Sequence, residues 1–532
     1  MSKKRVLVIG IDGATFKVID PLVQDGSLPN IARIMDTGVK GVLNSTLPLV
    51  SPVAWTSFMT GKNPGKHQIF DFSGKIEGTY RFKMNSAKDR KATPFWMDLS
   101  KRNRRVFIIG VTMTYPPDPV NGYMVSGLGA PPDTSVRSYT YPTEFAKEMV
   151  NMFGQYRTVP EADLRKLSVS DSEKNKYIQG IFNQIDYRVN LFKYMWQKEK
   201  FDFSMVFFLD TDGISHYFWK YMDRSHKNYQ KGIFSNVIHR VYEKIDEAIG
   251  ELLETIDDDT DLVIVSDHGF GCLNRVIFLN NWLESEGYLT FKDDSFSNIL
   301  SLRLKSLIKR RKYRLQKEID WQKTKAFFSG TAGNIFINLK GRDPQGIVSI
   351  KEYDILCDEI RFNLLNLRDP ETEERVVDRV YKKKELFADE SIQRAPDLVL
   401  SFRRGFSIVG EEIRLHHLSD KGEIIVDSNN WSGIHEPEGV FLAYGKDIKK
   451  GEAVQGANII DVAPTLLYLL DSKVPKSYDG RVLKDVFTPD FLKKNPVSYI
   501  KDEDESHIDS EVYNKDETER LRKQLRDLGY IE

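Results

Sequence analysis

Arg5-Val-Leu-Val-Ile-Gly-Ile-Asp12-Gly13 is a continuous apolar run that ends in a carboxylate and a glycine. An unbroken run, as opposed to an alternating one, is the pattern of a strand buried on both faces of a parallel sheet. The same signature recurs at 106–111, 203–209 and 262–266. Helically spaced apolar residues lie between these runs, for example at 30–35 and 242–256. Strands alternating with helices predict an α/β fold, a mainly parallel sheet flanked by helices with right-handed crossovers. Such sheets gather ligands at the carboxyl ends of their strands. The polar residues that directly follow each run are therefore the candidates for chemistry.

Working outward, the segment 281–410 reads differently. It holds a basic helical stretch, a strand-like Asn334-Ile-Phe-Ile-Asn338, a helix near 351–366 and a strand near 397–401. This predicts an inserted α+β cap. The core then divides into a first part, 1–280, with a helical insertion at about 135–200, and a second part, 411–495, with core-like runs at 439–444 and 459–470. The highly charged 496–532 predicts a C-terminal surface helix or tail. A chain of 532 residues has room for roughly three to four domain-sized pieces.

Lys+Arg and Asp+Glu are both 77, a net charge of zero. A balanced chain carries no global field for nucleic acid or membrane, and nucleic acid is not expected as a partner. The hydrophobic share, 40%, excludes disorder along most of the chain. Cys272 and Cys357 are the two cysteines and form no CxxC pair. That excludes a disulfide scaffold and a thiolate zinc site, and fits a reducing compartment. Lys3, Lys4 and Arg5 precede only six apolar residues, too few for a signal-peptide core, and no later run reaches the ~18 residues of a membrane span. The expectation is a soluble, cytoplasmic protein. Arg303 to Lys317 contains eight Lys/Arg and no acidic residue. A solvated face of a cap helix is favoured there over a site for an anionic polymer or membrane surface.

The candidate residues each admit a bland reading. Asp12-Gly13 suits a metal or phosphate site, or simply a turn. Asp267-His268-Gly269 follows the run Asp261-Leu-Val-Ile-Val-Ser266; adjacent oxygen and nitrogen donors can share one cation, and a turn with a hydrogen-bonded histidine is the alternative. Asp212 and His216 are four apart in Asp210-Thr-Asp212-Gly-Ile-Ser-His216 and can face one side of a helical turn. They suit a transition metal, or a helix N-terminus with an acidic first turn. His435 in Trp431-Ser-Gly-Ile-His435 stands just before an apolar strand. Ser51, followed by Pro52, reads as a helix N-cap, and a helix N-terminus also welcomes a phosphate. His67, His226, His239, His416, His417 and His507 sit in loop, helical or polar contexts and are read as structural.

The order Asp12, Ser51, Asp212-x3-His216, Asp267-His268, His435 resembles the alkaline phosphatase superfamily, and within it the type I phosphodiesterase and nucleotide pyrophosphatase branch with its relatives described as phosphohydrolases or phosphomutases. Thr60-Gly61, Pro64 with His67, Asp461-Val-Ala-Pro464-Thr465 and Asp479-Gly480-Arg481 support it. The resemblance spans about 5–275 and 425–487. It implies an alkaline-phosphatase-like fold and two divalent ions, zinc in most members, with manganese compatible with the same N/O donors. It implies Asp12, Ser51, Asp267 and His268 as ligands of one ion and Asp212, His216 and His435 as ligands of the other. It also implies Ser51 as nucleophile.

A serine hydroxyl is a weak nucleophile, and metal coordination favours its alkoxide. Two divalent ions against three carboxylates and an alkoxide give a near-neutral site that accepts a phosphate anion. The implied course is attack by Ser51, a phosphoseryl intermediate, then hydrolysis. The substrate is a phosphate ester, and the expected activity is that of a phosphodiesterase or nucleotide pyrophosphatase. A phosphomutase, phosphotransferase or phosphomonoesterase using the same site is the alternative, and a non-catalytic binding protein is a lesser one. The branch carries an Asn about twenty residues after the nucleophile. Here that region reads His67-Gln-Ile-Phe70-Asp71-Phe72, and Lys66 and Gln68 are the nearby candidates for substrate contact. Neither cysteine lies in a sulfatase motif. The largest insertion follows Asp267-His268, which disfavours a cofactor-independent phosphoglycerate mutase.

Overall fold

The computed structural model describes residues 4–131, 139–162, 170–292, 318–387, 392–409, 423–428, 431–501 and 512–528. The basic stretch 303–317 and His416, His417 and His507 lie outside the described residues.

The chain forms two compact units. The first comprises Met1–Ile69, Met84–Leu273 and Asn429–Leu528. Its centre is a nine-stranded sheet of Arg5–Ile11 (β1), Val39–Asn44 (β2), Val106–Ile109 (β3), Gly122–Val125 (β4), Thr140–Tyr141 (β5), Phe203–Phe208 (β6), Thr260–Val265 (β7), Glu438–Tyr444 (β8) and Glu452–Asn458 (β9). The spatial order is β9-β2-β8-β7-β1-β6-β3-β4-β5. β1 lies between β6 and β7, parallel to both. The pairs β3–β6, β3–β4 and β2–β9 are parallel as well. β8 is antiparallel to β2 and β7, and β5 to β4. Leu7, Val8 and Ile9 are fully buried, which is why the strand that opens the sequence shows no alternation.

Helices flank this sheet. Val237–Thr255 buries Val237, Ile238, Val241, Tyr242, Ile245, Ala248, Ile249 and Leu252, a stripe with the i, i+3, i+4 spacing of an amphipathic helix. Within the insertion at 135–200 the long helix is Asp171–Lys198, capped by Ser170 on the Glu173 amide. The C-terminal helix Lys515–Asp527 is docked, not simply solvated: Leu521 and Leu525 are buried, and the preceding Tyr513 hydroxyl donates to the Gly129 carbonyl at 2.8 Å. Leu521 and Leu525 are four residues apart and share one face of the helix, which is how a strongly charged segment still holds an apolar seam. Among the described residues no helix is long and apolar enough to cross a membrane.

The second unit comprises Phe70–Lys83 and Asn274–Ser428, broader than the 281–410 expected from sequence. It is α+β. An antiparallel sheet orders Ala326–Phe328, Asn334–Ile337, Leu398–Phe402 and Val377–Lys382, with the helix Ile350–Asn366 contributing Leu356, Cys357, Ile360 and Leu364 to its core. Phe70–Lys83 belongs here for two physical reasons. The Lys75 ammonium is buried against Asp343, and Tyr80 stacks flat on Trp321 with ring centroids 3.6 Å apart. A buried charge needs its partner, and nothing in the local sequence announces so distant a one.

One buried acid gives the first unit a pH dependence. Asp261 in β7 is 2% exposed, and a Cβ on Gly445 would collide with its carboxylate. Burial and the Asp447 carboxylate raise its pKa from 3.8 to about 7, against the pull of Lys4 and Lys446. The folded state therefore prefers the protonated form. Its contribution is full below the unfolded value and is lost as pH rises through about 7. In urea unfolding, Asp261→Asn should be more stable than the parent above pH 7, by ~1–3 kcal/mol, with the difference vanishing toward pH 4. Identical pH slopes for parent and variant would contradict this.

Candidate active site

Five elements of the first unit deliver the candidate residues to one place. β1 ends directly before Asp12, and Gly13 takes φ +67°, a conformation that glycine adopts without strain. A Cβ there would press on Phe270 and on the Asp212 backbone. The helix Ser51–Thr60 brings Ser51. The helix Asp210–Met222, following β6, brings Asp212 and His216 on one face. β7 leads into Asp267 and His268. The strand Gly433–Glu436 brings His435, paired to Phe270 across an antiparallel ladder. Asp12, Ser51, Asp212, His216, Asp267 and His268 are all at most 1% exposed.

The geometry is tight. Ser51 Oγ lies 3.3 Å from Asp12 Oδ1 and 3.3 Å from His268 Nε2. Asp212 Oδ1 lies 3.1 Å from His435 Nε2 and 3.3 Å from His216 Nε2. His268 Nε2 is 3.4 Å from Asp267 Oδ2. The structure thus brings together all seven residues read from the sequence. Ser51 departs from expectation in one respect: Val50 occupies the N-cap position, and Ser51 is the first helical residue. Its hydroxyl turns toward Asp12 and His268, not back onto the backbone, so it is not a capping side chain.

Lys66 and Gln68 are not brought into this cluster by any contact. Lys66 is held by the Asp479 carboxylate and donates to the Ser477 carbonyl at 2.8 Å, and Gln68 terminates a short helix at φ 59°. An attraction to a nearby aspartate accounts for the lysine. The other motif pieces brace the Ser51 helix. The Gly61 carbonyl, at that helix's left-handed C-terminus, accepts from the Asp479 and Gly480 amides, and Asp461 accepts from the Arg481 amide at 2.8 Å. His67 is fully buried against Ser57 at 2.9 Å, and His226 against the Leu273 carbonyl at 3.0 Å; both are structural.

The donor pattern indicates what the cluster suits. His268 Nδ1 lies 3.0 Å from the Gly269 carbonyl, and His216 Nδ1 3.0 Å from the Gly433 carbonyl. A carbonyl can only accept, so each Nδ1 carries the proton and each Nε2 presents a lone pair inward. His435 likewise bonds the Leu49 main chain, and its Nε2 faces that of His216 at 3.1 Å. Lone pairs turned on one another and on carboxylates are repulsive unless a cation lies among them. Imidazoles anchored through their other nitrogen to main-chain carbonyls are also the usual support of metal-ligating histidines.

The carboxylates say the same. Among the described residues, neither Asp12 nor Asp267 has a lysine or arginine partner, and Asp267 Oδ2 accepts no hydrogen bond. Burial, Asp267 and Asp212 push the Asp12 pKa well up, and burial and Asp212 do the same for Asp267. Burial and His435 lower His268. Two donor groups could each hold a metal ion, Asp212 with His216 and His435, and Asp12 with Asp212 and His268. The donor set fits divalent cations.

Sequence reading missed several residues that shape this site. The Trp55 indole donates to Asp12 Oδ2 at 2.9 Å; its spacing of four from Ser51 was the available signal. Trp431 stacks on His216 with ring centroids 4.0 Å apart. Lys17 grips both oxygens of Glu436, the neighbour of His435, at 2.7 and 2.6 Å.

Comparison with known proteins places the chain in a family. The family model described as type I phosphodiesterase / nucleotide pyrophosphatase matches residues 6–423. No curated protein sequence matches the chain. Among solved structures, an inactive form of murine ectonucleotide pyrophosphatase / phosphodiesterase 5 in complex with AMP is similar at 15% identity and a TM-score of 0.52, covering 91% of this chain and 100% of that one. Phosphonoacetate hydrolase from Sinorhizobium meliloti 1021, in complex with phosphonoacetate, is similar at 14% identity and a TM-score of 0.52, covering 88% of this chain and 96% of that one. At such identities the likeness is one of fold. The chain belongs to the type I phosphodiesterase / nucleotide pyrophosphatase family, enzymes that act on phosphate esters.

Proposed function

We propose that the protein is a two-metal hydrolase of phosphate esters, of the phosphodiesterase type, in which Ser51 is the nucleophile. The observation that carries this reading is the placement of Ser51. Its hydroxyl begins a buried ten-residue helix and lies 3.3 Å from both Asp12 Oδ1 and His268 Nε2. Asp12, Ser51, Asp267 and His268 would hold one ion, and Asp212, His216 and His435 the other. Bound divalent ions, zinc by the donor set and manganese by the same logic, would favour the serine alkoxide and offset charge on the phosphoryl oxygens.

The chain's own groups do the rest. Asp12 Oδ1 accepts the Ser51 hydrogen bond and so orients the oxygen. The N-terminus of the Ser51 helix favours an anionic phosphoryl group. Ser51 Oγ bonds to phosphorus as the ester oxygen leaves, and water then releases the phosphoryl group from Ser51. Splitting one displacement into two easier ones is the gain of covalent catalysis. A nucleotide-derived diester or pyrophosphate is the substrate class that the family and its AMP-bound structural relative support.

The test is the rate on an aryl phosphodiester against the matching monoester, with zinc or manganese supplied. A diester preference is the expected result. A monoester preference would make the protein a phosphatase and contradict the diester reading. Inactivity on both with metal bound would contradict hydrolysis and favour a phosphotransferase or mutase.

A further inference from the structure

We propose that Trp55 is a positioning residue that fixes which oxygen of Asp12 faces the cluster, an inference that rests on reading the cluster as a metal centre. Trp55 is fully buried and sits on the helix Ser51–Thr60, one turn after Ser51. Its Nε1 donates to Asp12 Oδ2 at 2.9 Å. The other oxygen, Oδ1, is the one that meets Ser51 Oγ at 3.3 Å and His268 Nε2 at 3.4 Å. A carboxylate has two equivalent acceptor oxygens. The indole engages one of them and leaves the other for the cluster, so Asp12 enters the centre through a single, predetermined oxygen.

The indole is itself locked. It meets Phe58 edge-on at 5.3 Å and Phe207 edge-on at 4.9 Å. Gly10 lies in β1, two residues before Asp12, and a Cβ there would lie 3.0 Å from the Trp55 ring, from Met205 and from Phe207. The glycine inside a core strand, which costs strand stability, is accounted for by the close approach of that ring. One helical turn thus carries both the Ser51 hydroxyl and the clamp on Asp12. The two are registered to each other through rigid backbone, not through separate loops. Hydrogen-bonding partners of metal ligands contribute about 10–100-fold to metal affinity, and that is the effect expected of Trp55.

The experiment is a zinc titration of the metal-free full-length chain against a chromophoric chelator, with thermal unfolding of each metal-free protein alongside. The parent should bind two zinc ions. Trp55→Phe removes the donor, and should bind one ion as the parent does and the other about 10–100-fold more weakly. Because phenylalanine also leaves space, a second variant carries 3-benzothienylalanine at position 55, which keeps the shape of indole without the N–H. It should show the same selective weakening, with metal-free unfolding lowered by no more than the loss of one buried hydrogen bond. Parent-like binding of both ions by the benzothienyl variant would overturn the proposal and leave Trp55 a packing residue. Failure of the parent itself to bind zinc or manganese would overturn the metal reading instead, and is distinguished by that control.

Discussion

Ser51→Ala is expected to lower turnover of a phosphodiester by at least ~10³-fold, the scale on which enzymes lose rate when a nucleophile is removed. The argument is geometric. Ser51 Oγ is the sole hydroxyl that the structure sets against both Asp12 Oδ1 and His268 Nε2 among the described residues. The substitution deletes one oxygen and leaves the helix, whose cap is Val50, untouched. The folded state should lose only about 1 kcal/mol from the broken hydrogen bond to Asp12. Rate and stability therefore separate: a large loss of turnover with near-parental unfolding is the signature of chemistry at Ser51. A variant that retained a tenth or more of the parental rate would remove Ser51 from the nucleophile's role.

The largest stability effect is expected in the second unit, from Arg342→Met. The Arg342 guanidinium meets both oxygens of Asp397 at 2.8 Å and Asp343 Oδ2 at 3.1 Å. Asp397 and Asp343 are at most 1% exposed on their side chains. Asp397 also accepts from the Ile337 amide at 2.6 Å and from the Tyr353 hydroxyl at 2.8 Å. One carboxylate therefore ties two strands of the antiparallel sheet to the helix beside it. Despite burial, Arg342 holds the Asp397 pKa below its ordinary value. Removing the cation leaves a buried anion without its main partner, which costs ~3–5 kcal/mol, a large share of the ~5–15 kcal/mol that typical domains possess. Arg342→Lys should recover only part of it, because a point charge cannot reproduce the two-pronged contact. Urea unfolding checks this, and a loss below ~1 kcal/mol would contradict it.

What the sequence disclosed, and what it withheld, follows from the range of the interactions. β1 was legible because both faces are buried and its run is unbroken. Asp12 and Asp267 were legible because each directly follows such a run, and position at a strand's carboxyl end is a local property; Asp212, three residues past its run, was legible through its spacing of four from His216. His435 was legible only through its order among the other candidates. Ser51 shows the limit of local reading. The pair Ser-Pro predicts a cap, yet the hydroxyl is claimed by Asp12, 39 residues away, and by His268, 217 residues away. Lys75 and Asp343 are 268 residues apart, so no spacing rule could assign Phe70–Lys83 to the second unit. The protonated Nδ1 atoms of His216 and His268 depend on main-chain carbonyls at Gly433 and Gly269, partners without side chains and so without a sequence signature. Lys66 erred in the opposite direction. It was near in sequence, but Asp479 claims it.

The stereochemical course at phosphorus tests the central claim most directly. Each in-line displacement inverts the phosphorus centre. Two displacements, through a phosphoryl group carried on Ser51, give net retention, whereas direct attack by water gives inversion. The measurement is hydrolysis of a phosphorothioate diester of defined configuration in oxygen-18 water by the metal-loaded protein. Retention is the predicted result. Inversion would contradict a covalent Ser51 intermediate and leave Ser51 at most a ligand.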